Sequence, residues 1–418
     1  MKKLLLLAIL IPFFASAQDG LKNKTTLFQS NLHDSIPYRI PAIVELRNGS
    51  MYALTDYRHC KNDIGFGRVD IHGRRQKGKK WGKEFALIEG TGVEGAVDCG
   101  YGDAAMVADR ESNEILVTLV CGNTVYFHQT TNRQNPNRIT AMRSLDGGKT
   151  WERQQITEQI YTLFDDAPGG CVQSCFVSSG QIFQSRIIKV GSHYRIYAAL
   201  AARPNGNRVI YSDDFGRNWK VLGDLGQLPV PNGDEAKCEE LPDGSVIISS
   251  RAYGGRYFNI YKYSDVESGA GSWGEAAPSG KRVKGCVTVE NACNGGILII
   301  PAVRCADGKK VYLAFQSVPF GPQRANVGIY VKELPEDVYK DEIEPIELEI
   351  DETRKFVVSV KRGGEFGLPM CDIRQYQTTE LYTGFTKKGV NFPIELLPDL
   401  IEILHVAYGA CEEKELLS

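Results

Sequence analysis

The chain has 418 residues, of which 42% are hydrophobic and 24% are charged, and its formal net charge is −2 at pH 7. This near-neutral balance does not indicate a nucleic-acid-binding protein, so any specificity for an anion must come from individually placed arginines. The eleven cysteines contain no CxxC pair and the six histidines are scattered, so we predict no metal site. We expect no organic cofactor either. The length allows several domains or one large all-β domain.

The N-terminus has the layout of a secretory signal peptide. Lys2 and Lys3 precede the apolar run 4–14, and the small residues Ala-Ser-Ala follow at 15–17. We therefore predict a signal peptide over residues 1–17, cleavage after Ala17 and a secreted or periplasmic protein that begins at Gln18. The same stretch as a membrane anchor is the alternative, but the run is short for a span, and no later segment is apolar enough to cross a bilayer.

Short apolar or alternating segments follow one another through most of the chain. Gly, Asn or Asp residues bound them, as is typical of β-strands. No linker and no long amphipathic helix interrupts them before the last eighty residues, so we predict one all-β domain over residues 18–334. The clearest strand segments are AIVELRNGSMYALT, EILVTLVC, RIYAALAA, SVIISSR, GILIIPAV and KVYLAFQS.

One polar turn occurs twice in similar form, as SLDGGKTW at 144–151 and SDDFGRNW at 212–219. The Asp side chain can accept bonds from backbone N–H groups, the glycines tolerate positive φ, and the Trp can pack over the loop. All four tryptophans close a passage of this kind, at spacings of 70, 68 and 54 residues. This period predicts radially repeated four-stranded sheets, a β-propeller, with four unrelated surface turns as the alternative.

The last part of the chain differs from the rest. From about residue 335 the segment KDEIEPIELEIDETRK is strongly charged, and FPIELLPDLIEILHVAY has the pattern of an amphipathic helix. We therefore treat 335–418 as a divergent C-terminal segment that either completes the last blade or replaces it.

Several motifs together resemble one enzyme family. These are Tyr38-Arg39-Ile40-Pro41, DYRHCKNDIG with Arg58 and Asp63, the two turns described above, DEAKCEELPDGSVIISSR at 234–251, and GPQRANVGIYV from Gly321. Between about residues 30 and 332 the chain is similar to the bacterial and animal exo-sialidases with Asp-box repeats. The resemblance implies a six-bladed β-propeller that acts on terminal sialic acid.

The resemblance implies that three arginines, Arg39, Arg251 and Arg324, hold the carboxylate of the sugar. Converging guanidinium groups suit this task, because they form fork-shaped, charge-assisted hydrogen bonds with a carboxylate. Arg304 competes with Arg324 for the third position. Arg58 matches the arginine that contacts a hydroxyl or N-acyl group, or else it makes a structural ion pair.

The family pattern also implies the carboxylates of the reaction. Asp63 matches the general acid/base, although NDIG could equally form an Asx turn. Glu235, sixteen residues before Arg251, matches the glutamate that activates the nucleophile. Glu239 and Glu240 are the alternatives if that alignment slips.

The nucleophile that the family implies is a tyrosine. A neutral tyrosine avoids the repulsion that the carboxylate of the substrate would exert on an anionic nucleophile. The expected Tyr-Ser strand is missing after Arg324, and the nearest later candidate is Tyr376, followed by Tyr382.

We therefore predict a monomeric, retaining exo-α-sialidase that hydrolyses terminal α-linked sialic acid from sialylated glycans, glycoproteins or glycolipids. Two alternatives share most of these residues. One is a sialic-acid-binding propeller that has lost its nucleophile, and the other is a transferase or intramolecular variant of the same chemistry.

Overall fold

The computed structural model describes residues 25–30, 35–204, 206–252, 255–279, 292–319, 324–325, 327–334, 343–363, 368–379, 382–393 and 396–413. The predicted signal peptide, residues 1–17, lies outside the described residues, and so does the side chain of Tyr382.

The described residues form antiparallel sheets that follow one another along the chain, which we number as units. Unit 1 has the strands β1 (Tyr38–Glu45), β2 (Met51–Tyr57), β3 (Asp70–Lys77), β4 (Lys80–Trp81) and β5 (Phe85–Ile88). Unit 2 has β6 (Tyr101–Ala108), β7 (Ile115–Cys121), β8 (Arg138–Ser144) and β9 (Glu152–Gln155), followed by the short helix α1 (Thr157–Tyr161) and a 3₁₀ turn (Thr162–Phe164).

Three further units continue the series. Unit 3 has β10 (Ser174–Val177), β12 (Phe183–Val190), β13 (His193–Arg203), β14 (Gly206–Ser212) and β15 (Lys220–Val221), while β11 (Gly180–Gln181) crosses over to pair in parallel with β6. Unit 4 has β16 (Ala236–Glu240), β17 (Val246–Ala252), β18 (Gly255–Asp265), β19 (Ala270–Trp273) and β20 (Ala277–Pro278). Unit 5 has β21 (Ile297–Val303), β22 (Lys310–Pro319) and β23 (Val327–Glu333).

Consecutive units pack face to face through separate apolar clusters. Leu54 of unit 1 and Met106 of unit 2 share one cluster, and Leu116 and Leu200 join units 2 and 3 in the next. Further clusters join units 3 and 4, and units 4 and 5. Because inner strands such as β7 and β14 bury side chains on both faces between neighbouring sheets, no unit could bury its apolar surface alone. This arrangement confirms the prediction of an all-β, propeller-type fold.

The two similar turns have one hydrogen-bond pattern. The Asp146 carboxylate accepts from the backbone N–H groups of Lys149 and Thr150 at 2.9 and 3.0 Å. In the second copy the Asp214 carboxylate accepts from the N–H groups of Arg217 and Asn218 at 3.0 and 2.8 Å. The pattern makes each turn a rigid connection between the last two strands of its unit.

The C-terminal segment forms a meander of its own, the C-terminal unit, with β24 (Ile343–Asp351), β25 (Arg354–Gly363), β26 (Leu368–Thr378), β27 (Tyr382–Pro393) and helix α2 (Leu397–Glu413). The unit joins unit 3, because Thr383 and Tyr382 of β27 are in register with Lys189 and Val190 of β12. In the described chain it therefore extends the sheet of unit 3 and is not a separate sixth sheet. No described helix combines the length and apolarity that a membrane span requires.

Candidate active site

A cavity of about 340 Å³ collects most of the predicted site residues. Units 1, 2, 4 and 5 contribute charged side chains to its wall, and units 2 and 3 contribute aromatic ones. The lining consists of Arg39, Ile40, Asp63, Ile64, Asp103, Val120, Val125, Tyr126, Phe127, Asn137, Phe176, Asp234, Glu235, Arg251 and Arg324.

Behind this wall, Arg58 is fully buried among three carboxylates. Its guanidinium group donates to Asp56 Oδ2 at 2.8 and 3.0 Å and to Asp63 Oδ1 at 2.7 Å, and it lies 3.6 Å from Asp103. Asp56 also accepts the backbone N–H of Asp103 at 3.0 Å. Arg58 thus positions Asp63 from behind, which matches the structural ion-pairing alternative and leaves Asp63, with 53% of its side chain exposed, as the accessible carboxylate.

The electrostatics of this cluster follow from its burial. Burial raises the pKa of Asp56 to about 6, although Arg58 acts in the opposite direction. Burial and then the charge of Asp56 raise the pKa of Asp103 well above its usual range. Burial alone would lower the pKa of Arg58, but the three carboxylates raise it above its ordinary value. One guanidinium cannot neutralise three ionised carboxylates, so the cluster favours retention of a proton beside the cavity.

A second charged group faces the cavity from unit 4. Arg251 donates to Glu235 Oε2 at 2.6 Å and lies 3.5 Å from Asp234. A backbone hydrogen bond also joins these two residues, because the N–H of Arg251 donates to the carbonyl oxygen of Glu235 at 2.8 Å. Burial raises the pKa of Asp234 against the lowering effect of Arg251. Arg251 and Glu235, which lie sixteen residues apart in the sequence, thus form one hydrogen-bonded pair at the cavity wall.

The two remaining arginines reach the cavity from strained backbone. Ile40, next to Arg39, has φ 53°, and Arg324 has φ 62°. Asp103 has φ 53° as well, so three of the cavity residues adopt a conformation that non-glycine residues rarely accept. The register shift between Arg39 and Ala42 in the β1–β2 pair is the local irregularity at that position.

The alternative residues lie elsewhere. Arg304 donates to Asp307 at 2.7 Å and to Glu333, in a turn on the surface of unit 5, whereas Arg324 donates to the carbonyl oxygen of Ala292 at 3.0 Å and lines the cavity. Glu239 and Glu240 are buried beside Arg186 and are not among the cavity residues.

The predicted nucleophile Tyr376 is not among the cavity residues. It lies on β26, where Lys355 is 5.5 Å above its ring and Phe385 packs edge-on at 5.2 Å. The physical reason is the pairing of β27 with β12, which holds the C-terminal unit against unit 3. Among the described residues, Tyr126 is the tyrosine that lines the cavity, and it packs edge-on against Phe176 at 4.8 Å.

Tyr126 and Phe127, on the aromatic side of the cavity, were not among the residues predicted from the sequence. Tyr126 and Phe127 lie in the segment NTVYFHQ directly after β7, and Phe176 lies on β10. The available signal was two consecutive aromatic residues in a polar loop that follows a buried strand. Burial, followed by the charge of Asp234, raises the pKa of Tyr126.

A larger cavity, of about 590 Å³, lies against unit 2. Asp98, Arg138, Arg153 and Glu158 are among its lining residues, but none of the predicted site residues is. We take the smaller cavity as the candidate site because it holds the predicted arginines and carboxylates, although the other cavity has the larger volume.

The fold and the charged cavity define a propeller with arginines and carboxylates at one mouth, and the comparisons with known proteins show which proteins it resembles. The chain is 31% identical over 223 residues to a sialidase of Micromonospora viridifaciens, in 51% of this chain and 32% of that protein. It is 22% identical over 333 residues to sialidase-2 of Mus musculus, in 75% and 81% of the two chains. No protein-family model matches the chain.

Solved sialidases have the same fold. A microbial sialidase, Hadza Hz136, superposes with a TM-score of 0.56 at 18% identity, covering 87% of this chain and 66% of the other. A K499G variant of the NanB sialidase of Streptococcus pneumoniae gives 0.55 at 13% identity, covering 91% and 73%. The chain spans about a third of the length of the Micromonospora relative. In sequence and in fold the chain is thus similar to sialidases.

Proposed function

We propose that this protein is an exo-α-sialidase that hydrolyses terminal α-linked sialic acid from glycoconjugates with retention of configuration. The observation that carries the proposal is the meeting of Arg39, Arg251 and Arg324 with Asp63 and Glu235 at one cavity. Relatives named sialidase support the same reaction.

The three arginines hold the carboxylate of the sugar by charge-assisted hydrogen bonds. Asp63 in its protonated form gives its proton to the glycosidic oxygen as the bond from that oxygen to the anomeric carbon breaks. A tyrosine attacks that carbon while Glu235 takes the phenolic proton. Asp63 then removes a proton from water, whose oxygen attacks the anomeric carbon as the bond from that carbon to the tyrosine oxygen breaks, and the proton on Glu235 returns to the tyrosine.

A second function, sialic acid binding without cleavage, is favoured by one observation. Tyr376, the tyrosine proposed from the sequence, does not line the cavity that holds Glu235. A protein without a nucleophile at this position would keep the arginine clamp and bind the sugar.

The deciding experiment measures release of a fluorescent leaving group from an α-linked sialoside by the wild type and by D63A, E235A, Y126F, Y376F and Y382F. We expect turnover in the wild type and a loss of about 10²- to 10⁴-fold in D63A and E235A, the range for loss of a general acid or base. A 3-fluorosialyl fluoride would trap the covalent intermediate, and the labelled peptide would identify the tyrosine.

If the wild type turns over the sialoside and one of the three Tyr→Phe changes abolishes that turnover, the protein is an enzyme and the changed tyrosine is its nucleophile. The opposite result, no turnover but binding of free sialic acid that R251A removes, would establish the binding protein instead.

A further inference from the structure

A lysine lies buried beside the wall of the cavity. Lys237 belongs to β16, two residues after Glu235, and only 5% of it is exposed. Lysine is seldom buried without an ion-pair partner, because the ammonium group then loses its hydration without compensation. In the described part of the chain Lys237 forms no direct ion pair. The fold thus retains a buried cation next to the glutamate of the proposed reaction.

Three oxygen atoms hold the ammonium group of Lys237. Its Nζ donates to Asn294 Oδ1 at 2.8 Å and to the carbonyl oxygens of Ala236 and Ser178 at 3.3 and 3.5 Å. The Asn294 side chain donates in turn to the carbonyl oxygen of Ser179 at 3.1 Å. Lys237 therefore joins unit 4 to unit 3 and to the segment before β21 of unit 5. Because every acceptor is uncharged, the ammonium charge is hydrogen-bonded but not neutralised.

The charges that act on Lys237 come largely from the cavity. The titratable groups that influence it most are Glu235, Arg256, Cys238 and Asp103, and two of these, Glu235 and Asp103, line the cavity. Burial lowers the pKa of Lys237 from 10.5 to about 8, and the charge of Glu235 acts in the opposite direction. Burial raises the pKa of the Cys238 thiol to about 12. Lys237 therefore changes its charge at a pH at which Cys238 stays neutral.

The hydrogen bond from Arg251 to Glu235 determines what this charge does when an anion binds. At 2.6 Å, that bond makes Arg251 the direct partner of the Glu235 carboxylate. A sugar carboxylate that also binds Arg251 places a second anion beside the same guanidinium group. A protonated Lys237 offsets the added negative charge, whereas a neutral Lys237 leaves the two carboxylates to repel each other in a partly buried site.

We infer that Lys237 is a positioning residue whose ammonium form holds the Glu235 carboxylate beside the bound sugar anion, so that binding of sialic acid is coupled to protonation of Lys237. This inference rests on the proposed function, because the sugar carboxylate is the anion that shares Arg251. Such coupling is reciprocal, so the bound sugar strengthens proton binding by the same factor by which the proton strengthens sugar binding. The protein should therefore take up protons when it binds sialic acid in mildly alkaline solution.

The test is calorimetric titration with free sialic acid, whose carboxylate stays ionised from about pH 6.5 to about pH 9.5. Titration at about pH 8 in two buffers that differ in ionisation enthalpy gives the number of protons taken up. K237Q keeps an N–H donor but removes the charge, and K237R keeps the charge at every pH used. K262Q is the matched control, because Lys262 is exposed on β18 of the same unit. Thermal melting confirms that each variant is folded.

We expect the wild type and K262Q to take up about half a proton per bound sugar at about pH 8. Both should bind about five- to tenfold more weakly at about pH 9.5 than at about pH 6.5. K237Q should take up no proton and bind weakly at both pH values, while K237R should bind equally well at both.

Equal proton uptake by the wild type and K237Q, or no uptake by the wild type, would overturn the inference. A lysine that only fastens the three units together would lower the melting temperature in K237Q and leave the wild type without a pH-dependent affinity. If K237Q does not fold, K237R decides, because a loss of affinity at the higher pH equal to that of the wild type would exclude Lys237 as the titrating group.

Failure of the proposed function is visible separately. A wild type that binds sialic acid but turns over no sialoside is not a hydrolase, and its proton uptake still tests Lys237. If the wild type binds no sialic acid at any of these pH values, the proposed site is wrong and the inference falls with it.

Discussion

Arg304 and Arg324 both belong to unit 5, but their surroundings differ. Arg304 is held in a surface cluster with Asp307 and Glu333, and Arg324 lines the cavity. We predict that R324A weakens binding of free sialic acid about 10- to 100-fold, because a hydrogen bond to a charged group contributes about 1.5 to 3 kcal/mol. R304A should leave affinity unchanged. Isothermal titration checks this, and equal effects of the two substitutions would remove Arg324 from the clamp.

Glu240 supplies a pH-dependent contribution to stability that is independent of the cavity. It accepts hydrogen bonds from the Ser185 hydroxyl and, at 2.8 Å, from the N–H of Arg186. Burial raises the pKa of Glu240 from 4.5 to about 7. The folded protein therefore holds this proton more tightly than the unfolded chain does. The resulting stabilisation is fully present below about pH 4.5 and is lost as the pH rises through about 7.

We predict that the free energy of unfolding of the wild type falls between pH 5 and pH 8 by about 1 to 3 kcal/mol more than that of E240Q. Urea titrations at the two pH values measure it. E152Q, at an exposed position on β9, serves as the control and should follow the wild type. Parallel pH profiles for wild type and E240Q would show that Glu240 titrates normally in the fold.

At the scale of elements, the turn after β14 stabilises unit 3 without contacting the cavity. Asp214 accepts two backbone N–H groups and the Asn218 amide, and the adjacent Trp219 is buried in the cluster between units 2 and 3. We predict that D214A lowers the free energy of unfolding by about 1 to 2 kcal/mol, the usual effect of lost hydrogen bonds.

The same variant should keep the affinity for sialic acid of the wild type, whereas D166A, at an exposed position, should change neither quantity. Thermal melting and titration measure the two effects. A change in affinity without a change in melting would mean that the turn acts on the site and not on the sheet.

Local motifs made part of the site predictable from the sequence. Arg39, Asp63, Glu235 and Arg251 lie in short segments at strand ends, and the fold brings these ends to one cavity. The aromatic side was not predictable, because its residues lie in a loop whose packing depends on Gly65 and Thr124 from different units. The location of the C-terminal unit was not predictable either, since it depends on a strand pair nearly two hundred residues apart in sequence.

At the scale of the molecule, the C-terminal unit is attached through few elements. β27 pairs with β12 over two residue pairs, and β27 also lies near β18. Every described residue that lines the cavity lies at or before position 324. We predict that a chain ending at residue 334 binds free sialic acid within about threefold of the full chain, since lost contacts far from a site usually leave it unchanged.

Turnover by the shortened chain would exclude Tyr376 and Tyr382 as the nucleophile. If the full chain turns over substrate but the shortened chain only binds sialic acid, the C-terminal unit supplies the nucleophile. Titration of the shortened chain, with circular dichroism as the check on folding, decides whether the prediction holds, and loss of affinity in a folded fragment would contradict it.

The cavity residues extend along the chain from Arg39 to Arg324, and no single unit carries more than part of the site. During synthesis, therefore, the first arginine leaves the ribosome long before the last one, and the set of cavity residues stays incomplete until Arg324 has been added. On the proposed function, we expect a nascent chain to bind a sialylated glycan only after its fifth sheet has formed. Appearance of sugar binding on stalled chains of increasing length would thus report at which length the series of sheets becomes able to bind the sugar.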